Sequence, residues 1–196
     1  METAFRSEER FTQREFVEWL QERPSSDIHH YELIGGHIVM TPPAGYPHSL
    51  IEVRIAAAML RHVSTQKLGI VNGSSAGFDL PSGDTVEPDV SFISAAKLHA
   101  GPKPETGRFY RIVPDLVVEI VSRSTARRDR TEKKAIYERT GVGEYWIVSP
   151  ESRHVTVFRG GADGIASPNV VVSGSVESAV LPGLSIPLAE IFADLD

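Results

Sequence analysis

The run PDLVVEIVS, residues 114–122, limits what this chain can fold into more than any other stretch. A strand with one face in water alternates apolar and polar residues, and this one does not. Both of its faces must be covered, which requires a sheet with material packed on each side. Glu119 is the exception inside the run, on the same strand face as Val117 and Val121. Burying an ionised carboxylate costs several kcal/mol unless it is paired or bound to a metal ion. Glu119 therefore marks either a site or a strand-end acid that faces solvent or pairs with a nearby Arg.

The segments around this strand suggest the layers that cover it. Phe11, Phe16, Trp19 and Leu20 form a stripe at helical spacing over residues 11–21, and Pro24 ends it. YELIGGHIVM, residues 31–40, reads as a hairpin about Gly35-Gly36. Residues 48–63 have helical periodicity. From Gly69 to Ser94 there are three short β-like pieces, followed by a Pro/Gly-rich loop over residues 99–112. Residues 125–140 read as a charged helix stopped at Gly141. EYWIVSP and RHVTVFRG look like two adjacent strands, and the tail adds a weak strand around residues 170–180 and a final helix, PLAEIFADL. This order predicts an α/β fold of mixed α+β character, a mixed central sheet flanked by helices. At 196 residues it suits one domain over 1–196.

Composition removes several function classes. Cysteine is absent, which excludes disulfides, thiolate metal sites and a cysteine nucleophile, and suits a reducing cytoplasm. No stretch approaches the roughly 18 apolar residues of a membrane span. The charged start METAFRSEERFTQREF lacks the apolar core of a signal peptide, so a cytoplasmic protein with no membrane partner is expected. The net charge of −6 argues against a non-specific nucleic-acid coat, but not against an enzyme whose acidic centre acts through a divalent cation. Seven histidines occur without an HExxH spacing. GGHIVM and GSSAG lack the spacing of a nucleotide-binding loop. Tyr145 and Trp146 are assigned to core packing.

A second acid joins Glu119. Asp89 follows Pro88 in TVEPDVSFI and stands at the start of a β run, beside which Glu87 reads as a surface acid. Two carboxylates on neighbouring strands plus a backbone carbonyl make a hard oxygen site suited to Mg²⁺ or Mn²⁺. Such a site polarises a phosphodiester and activates water. Of Lys133 and Lys134, only one can point at the sheet from a helix, and Lys134 is assigned to the solvated side. Ser122 and Ser124 either contact substrate or, with Thr125, cap the following helix. Arg123, Arg127, Arg128 and Arg130 form the most basic stretch of the chain. They either steer a polyanion into the cleft or form a solvated helix start with Asp129 and Glu132.

The blocks EPDVSFIS, PDLVVEIVSRST and RRDRTEKKAIYERTGVGEYWIVSP resemble the Uma-two family of restriction-endonuclease-like proteins, part of the PD-(D/E)XK nuclease superfamily. The resemblance runs from YELIGGHIVMTPP through LPGLSIPLAEIF. It implies a restriction-endonuclease-like fold and Mg²⁺- or Mn²⁺-dependent hydrolysis of DNA, with Asp89 and Glu119 as catalytic, metal-holding acids. The superfamily lysine two residues past the second acid is absent here, because that position is Val121. The family instead has a lysine four residues after an Asp and four before a Tyr. Asp129, Lys133 and Tyr137 match this spacing and share one helix face, so Lys133 is the implied catalytic lysine. The resemblance also points to Glu32 as a further metal acid. It points to His48 as a contact to phosphate or water, beside the alternative of a helix-start residue. Ser122, Arg127 and Arg128 complete the expected substrate contacts.

Two other classes stay open. One is a non-catalytic nucleic-acid- or protein-binding module on the same fold, which loss of the acids or the lysine would mark; all three are present. The other is a metal-dependent hydrolase of a different substrate, since fold alone does not set substrate. A homodimer is also open, with the EYWIV and RHVTVF strands as candidate interface.

Overall fold

The structure, a computed structural model, describes residues 5–122, 124–160 and 168–195. A short strand β1 (Phe5–Arg6) precedes helix α1 (Gln13–Gln21). Thr12 starts α1 with a capping box: its hydroxyl accepts from Glu15 N at 3.3 Å, and the Glu15 carboxylate accepts from Thr12 N at 2.7 Å. Strands β2 (His30–Ile34) and β3 (His37–Thr41) form the expected hairpin. Gly35 and Gly36 both have positive φ, 59° and 81°, as the tight turn between right-twisted strands requires. Phe16 of α1 packs on Leu33 and Ile38 of this hairpin.

Next come α2 (His48–Gln66), β4 (Gly69–Gly73), β5 (Phe78–Asp79), β6 (Thr85–Val86), β7 (Val90–Ser94), α3 (Ala95–Ala100) and β8 (Leu116–Ile120). The charged helix is divided into α4 (Ala126–Arg128), a π-helical turn (Asp129–Lys133) and α5 (Lys134–Thr140), closed by Gly141 at φ 80°. The chain then forms β9 (Glu144–Ser149), β10 (His154–Arg159), β11 (Asn169–Val171), β12 (Ser175–Glu177), β13 (Ser185–Pro187) and α6 (Leu188–Ile191).

A six-stranded sheet in the order β11-β10-β9-β8-β7-β4 forms the centre. Its pairs are antiparallel except β8–β9, which are parallel and joined by the helical crossover over residues 126–140. Every residue of β8 is buried, Glu119 included, as a strand covered on both faces requires. On one face Leu116, Val118 and Ile120 pack with Trp146 against Ile51, Ile55 and Met59 of α2. On the other, Val117 and Val121 pack with Tyr145, Ile136 and Tyr137. Each such aliphatic or aromatic side chain contributes about 1.5–3 kcal/mol by leaving water. A second sheet, β1-β3-β2-β6-β5, carries the first hairpin, and β12 pairs with β13.

Several expectations are corrected. The stretch from Gly69 to Ser94 holds four strands, not three. Helix α3 was unanticipated; Ser94 caps it by accepting from Lys97 N at 3.3 Å, just ahead of the Pro/Gly-rich loop. β9 and β10 are interior strands, flanked by β8 and β11, so neither offers a free edge for a homodimer. Among the described residues no helix is long and apolar enough to cross a membrane.

Asp84 ties the first hairpin to the helix that carries Lys133. Buried, it accepts from Gly35 N at 2.7 Å, from Ser82 Oγ at 2.5 Å and from Arg139 Nη2 of α5 at 2.5 Å. Asp84→Ala leaves a backbone donor and a guanidinium without their acceptor, so a loss of about 2–4 kcal/mol is expected. The check is the urea midpoint, which should fall at unchanged slope.

Candidate active site

Asp89 lies one residue before β7, whose Val90 pairs with Val118 of β8, so it stands beside the end of the strand holding Glu119. Its Oδ2 accepts from Ile120 N at 2.6 Å and lies 3.1 Å from Nε2 of His48, the first residue of α2. His48 therefore reaches across to Asp89 and makes no side-chain cap to its own helix. Burial alone would lower the His48 pKa, but the hydrogen bond and charge of Asp89 more than offset it.

Glu119 is buried, at 4% exposure. Its Oε1 accepts from Tyr137 OH at 2.7 Å and lies 2.5 Å from Lys133 Nζ. Lys133 is also 2.8 Å from Glu32 Oε1, and only 2% of it is exposed. The superfamily position two residues past the acid, Val121, is part of the apolar core with Ile136 and Tyr137. The ammonium enters instead from the helix, over the π-helical turn that begins at Asp129 and ends at Lys133. Asp129, Lys133 and Tyr137 are all buried, as their four-residue spacing on one face predicts. A π turn inside an α-helix recurs at functional sites.

Glu32 is buried and is held by three groups. Its Oε1 accepts from Glu87 N at 2.9 Å as well as facing Lys133, while Arg128 Nη2 is 3.7 Å from Oε2. The same Arg128 nitrogen donates to Thr41 Oγ1 at 3.0 Å. Glu87 is not a surface acid: its carboxylate meets His30 Nδ1 at 3.1 Å, and it lines the same cavity. Arg128 Nε and Asp129 Oδ1 are enclosed 3.8 Å apart, neither with a hydrogen-bond partner among the described residues.

These side chains line a cavity of about 200 Å³, bounded by six acids against the fixed positive charges of Lys133 and Arg128. Burial pushes the Glu119 carboxyl well above the usual carboxylate range. Lys133 pulls it back, and the charges of Asp129, Asp89 and Glu32 push it further up. Burial would lower Lys133, but Glu119, Glu32 and Asp129 outweigh it and keep the ammonium protonated. The cluster is short of positive charge.

The donor chemistry fits a hard divalent cation. Asp89 and Glu119 each engage one oxygen with protein donors, and Asp89 Oδ1 and Glu119 Oε2 accept no hydrogen bond from the described residues. No group of three His, Asp or Glu among the described residues is arranged to hold a metal by itself.

The remaining expected contacts divide. Arg128 is in this cavity, whereas Ser122 lines a neighbouring one with Arg130, its Oγ 2.9 Å from Ser124 Oγ. Ser122 Oγ also accepts from Thr125 N at 3.3 Å, a local turn ahead of α4. Arg127 is exposed and lines neither cavity. Arg123 lies outside the described residues. The pairing of Tyr137 with Glu119 and of Glu32 with Lys133 was not foreseen, although the Asp129–Lys133–Tyr137 spacing carried a signal of the first.

The fold is that of a nuclease-like protein. A crystal structure of a "putative nuclease belonging to DUF820" from Anabaena variabilis ATCC 29413 superimposes with a TM-score of 0.75 at 20% identity, over 93% of this chain and 97% of that one. The chain belongs to the Uma2 family, "Putative restriction endonuclease", whose model matches residues 14–189. No curated protein matches it.

Proposed function

We propose that this chain is a Mg²⁺- or Mn²⁺-dependent endonuclease that hydrolyses phosphodiester bonds of DNA. The observation that carries the reading is the placement of Asp89, just before β7, beside Glu119 of the neighbouring strand β8, each with one protein-held and one uncommitted oxygen, in a cavity closed by the buried Lys133 ammonium. Asp89 and Glu119 would hold the cation, with Glu32 at the edge of the site as a third acid. Bound there, the cation supplies Lewis-acid polarisation of the phosphoryl group and lowers the pKa of a coordinated water.

The protein's own groups do the rest. Lys133, locked between Glu119 and Glu32, presents a fixed positive charge where negative charge develops on the phosphate. His48 orients the Asp89 carboxylate at the mouth of the phosphate site, and Arg128 supplies a donor to a phosphate entering the cavity. Ser122 contacts the strand beyond the scissile bond, and exposed Arg127 meets backbone outside the cavities. The catalytic unit is a single domain over 1–196. The lack of cysteine suits the reducing cytoplasm.

The test incubates purified protein with plasmid, single-stranded DNA and RNA in Mg²⁺ and in Mn²⁺. Cleavage of DNA that stops with EDTA is expected, together with weakened metal binding by Asp89→Ala in calorimetry. No cleavage in either metal, with unchanged metal affinity of the variant, leaves the non-catalytic binding module as the reading.

A further inference from the structure

The cavity at Asp89 and Glu119 shares a wall, Thr41 to Ala44 with His48 and Thr125, with a second cavity of about 480 Å³. The two differ in chemistry. Where the first is lined by six acids, the second has Glu151 alone, and its surface is made of prolines, serine hydroxyls, the ring of Tyr46 and the guanidinium of Arg130.

We propose that this second cavity receives the nucleoside next to the scissile phosphate, with its base out of the stack against Tyr46, so that the substrate is an unpaired or locally opened DNA strand. The proposal rests on the reading of Asp89 and Glu119 as the phosphodiester-cleaving centre, and names the form of DNA that centre takes.

Polymer geometry places the nucleoside there. Successive phosphates of one strand are separated by a single nucleoside, so a phosphate seated at the carboxylates brings its neighbour to the shared wall. A concave site admits a base only when that base has left the helix stack. Tyr46 is 68% exposed, while its hydroxyl donates to Asp194 O at 3.1 Å. The ring is thus tethered at its polar end with its apolar face uncovered, as a stacking platform requires. Pro42, Pro43 and Pro47 restrict the segment that carries it, which lowers the ordering needed on binding. Arg130, held by Ser149 Oγ at 3.0 Å, sets positive charge on the far wall, where the next phosphate of the strand passes.

The experiment reads binding and cleavage separately. Fluorescence anisotropy of a labelled single-stranded oligodeoxynucleotide is measured in EDTA and in Ca²⁺, beside its duplex and a copy bearing one abasic residue walked along the strand. The variants are Tyr46→Ala and Gly45→Trp. A Cβ at Gly45 meets no atom within 4 Å, and Gly45 lines the second cavity but not the one at the carboxylates, so the bulk is introduced beside the second cavity. Wild type should bind the single strand at least about tenfold more tightly than the duplex. Each variant should weaken single-strand binding by roughly 5- to 150-fold, the range supplied by one base on an aromatic ring. An abasic residue at the contacted position should weaken wild type by the same factor and leave Tyr46→Ala no further loss. Variants that bind like wild type, equal affinity for duplex, or no binding of any strand overturn the proposal. Cleavage with unaltered variants leaves the nuclease reading standing and removes the subsite; the expected binding pattern without cleavage in Mg²⁺ or Mn²⁺ does the reverse.

Discussion

Glu119→Gln is expected to lower kcat/KM for DNA cleavage on the order of 10³-fold while the protein stays folded. The two effects separate because the fold and the proposed chemistry use different properties of this side chain. The fold uses its shape and one acceptor oxygen, which takes Tyr137 OH at 2.7 Å and faces Lys133. A glutamine oxygen accepts from both. The change removes a negative charge from a cavity already crowded with acids, where burial disfavours the ionised form. Lys133 retains Glu32 at 2.8 Å as an ionic partner. Thermal stability should therefore shift by no more than about 1–2 kcal/mol. The proposed chemistry uses the charge, since a neutral amide oxygen is a weak ligand for a hard dication. Single-turnover rates and circular-dichroism melts on the same preparations check both halves. A variant that cuts at the wild-type rate removes Glu119 from the reaction.

What was legible in the sequence, and what was not, follows from the range of the interactions. The central strand announced itself because burial on both faces erases the alternation of residues 116–120, and Glu119 stood out against it. Asp89 was found from the strand start after Pro88, and the crossover helix from its composition. The π turn over Asp129–Lys133 carries no comparable mark in the local residue spacing. Helix α3 was hidden because it is too short for periodicity to show and it borders Gly101 and Pro102. Adjacent arginines also could not be told apart. Arg128 turns inward to Thr41 and Glu32 while Arg127 remains exposed, a distinction set by the first hairpin some 90 residues earlier in the chain. Glu87 looked like a surface acid for the same reason, since His30, which meets its carboxylate, is distant in sequence.

Lys133 is where the local pattern and the fold diverge most, and its replacement should have the largest effect on stability. Val121 occupies the place where the superfamily lysine stands, and it is core. The crossover returns a lysine to the same carboxylate from the helix, 2.5 Å from Glu119 and 2.8 Å from Glu32. Lys133→Met keeps the apolar stem but leaves those two acids and Asp129 enclosed without the ammonium. Breaking a buried pair in this way costs about 3–5 kcal/mol. For a chain of this length that is a fall in Tm of roughly 6–20 °C. The pH dependence has a definite sign. Without the ammonium the folded-state pKa values of Glu119 and Asp129, already raised by burial, rise further above their unfolded values. Their protonated forms then support the fold, and that support is lost as pH rises through the raised pKa values. The Tm deficit should accordingly be smaller at pH 5 than at pH 8. Adding Glu119→Gln to Lys133→Met should return part of the lost stability, because one stranded charge is gone; the two changes are in contact and cannot be additive. Cleavage should not return, because the double variant lacks both the carboxylate charge proposed to hold the metal and the ammonium proposed to meet the developing phosphate charge. A Lys133→Met protein that melts like wild type would show that the acids are neutral without it. One that also cuts DNA at the wild-type rate would remove Lys133 from the mechanism.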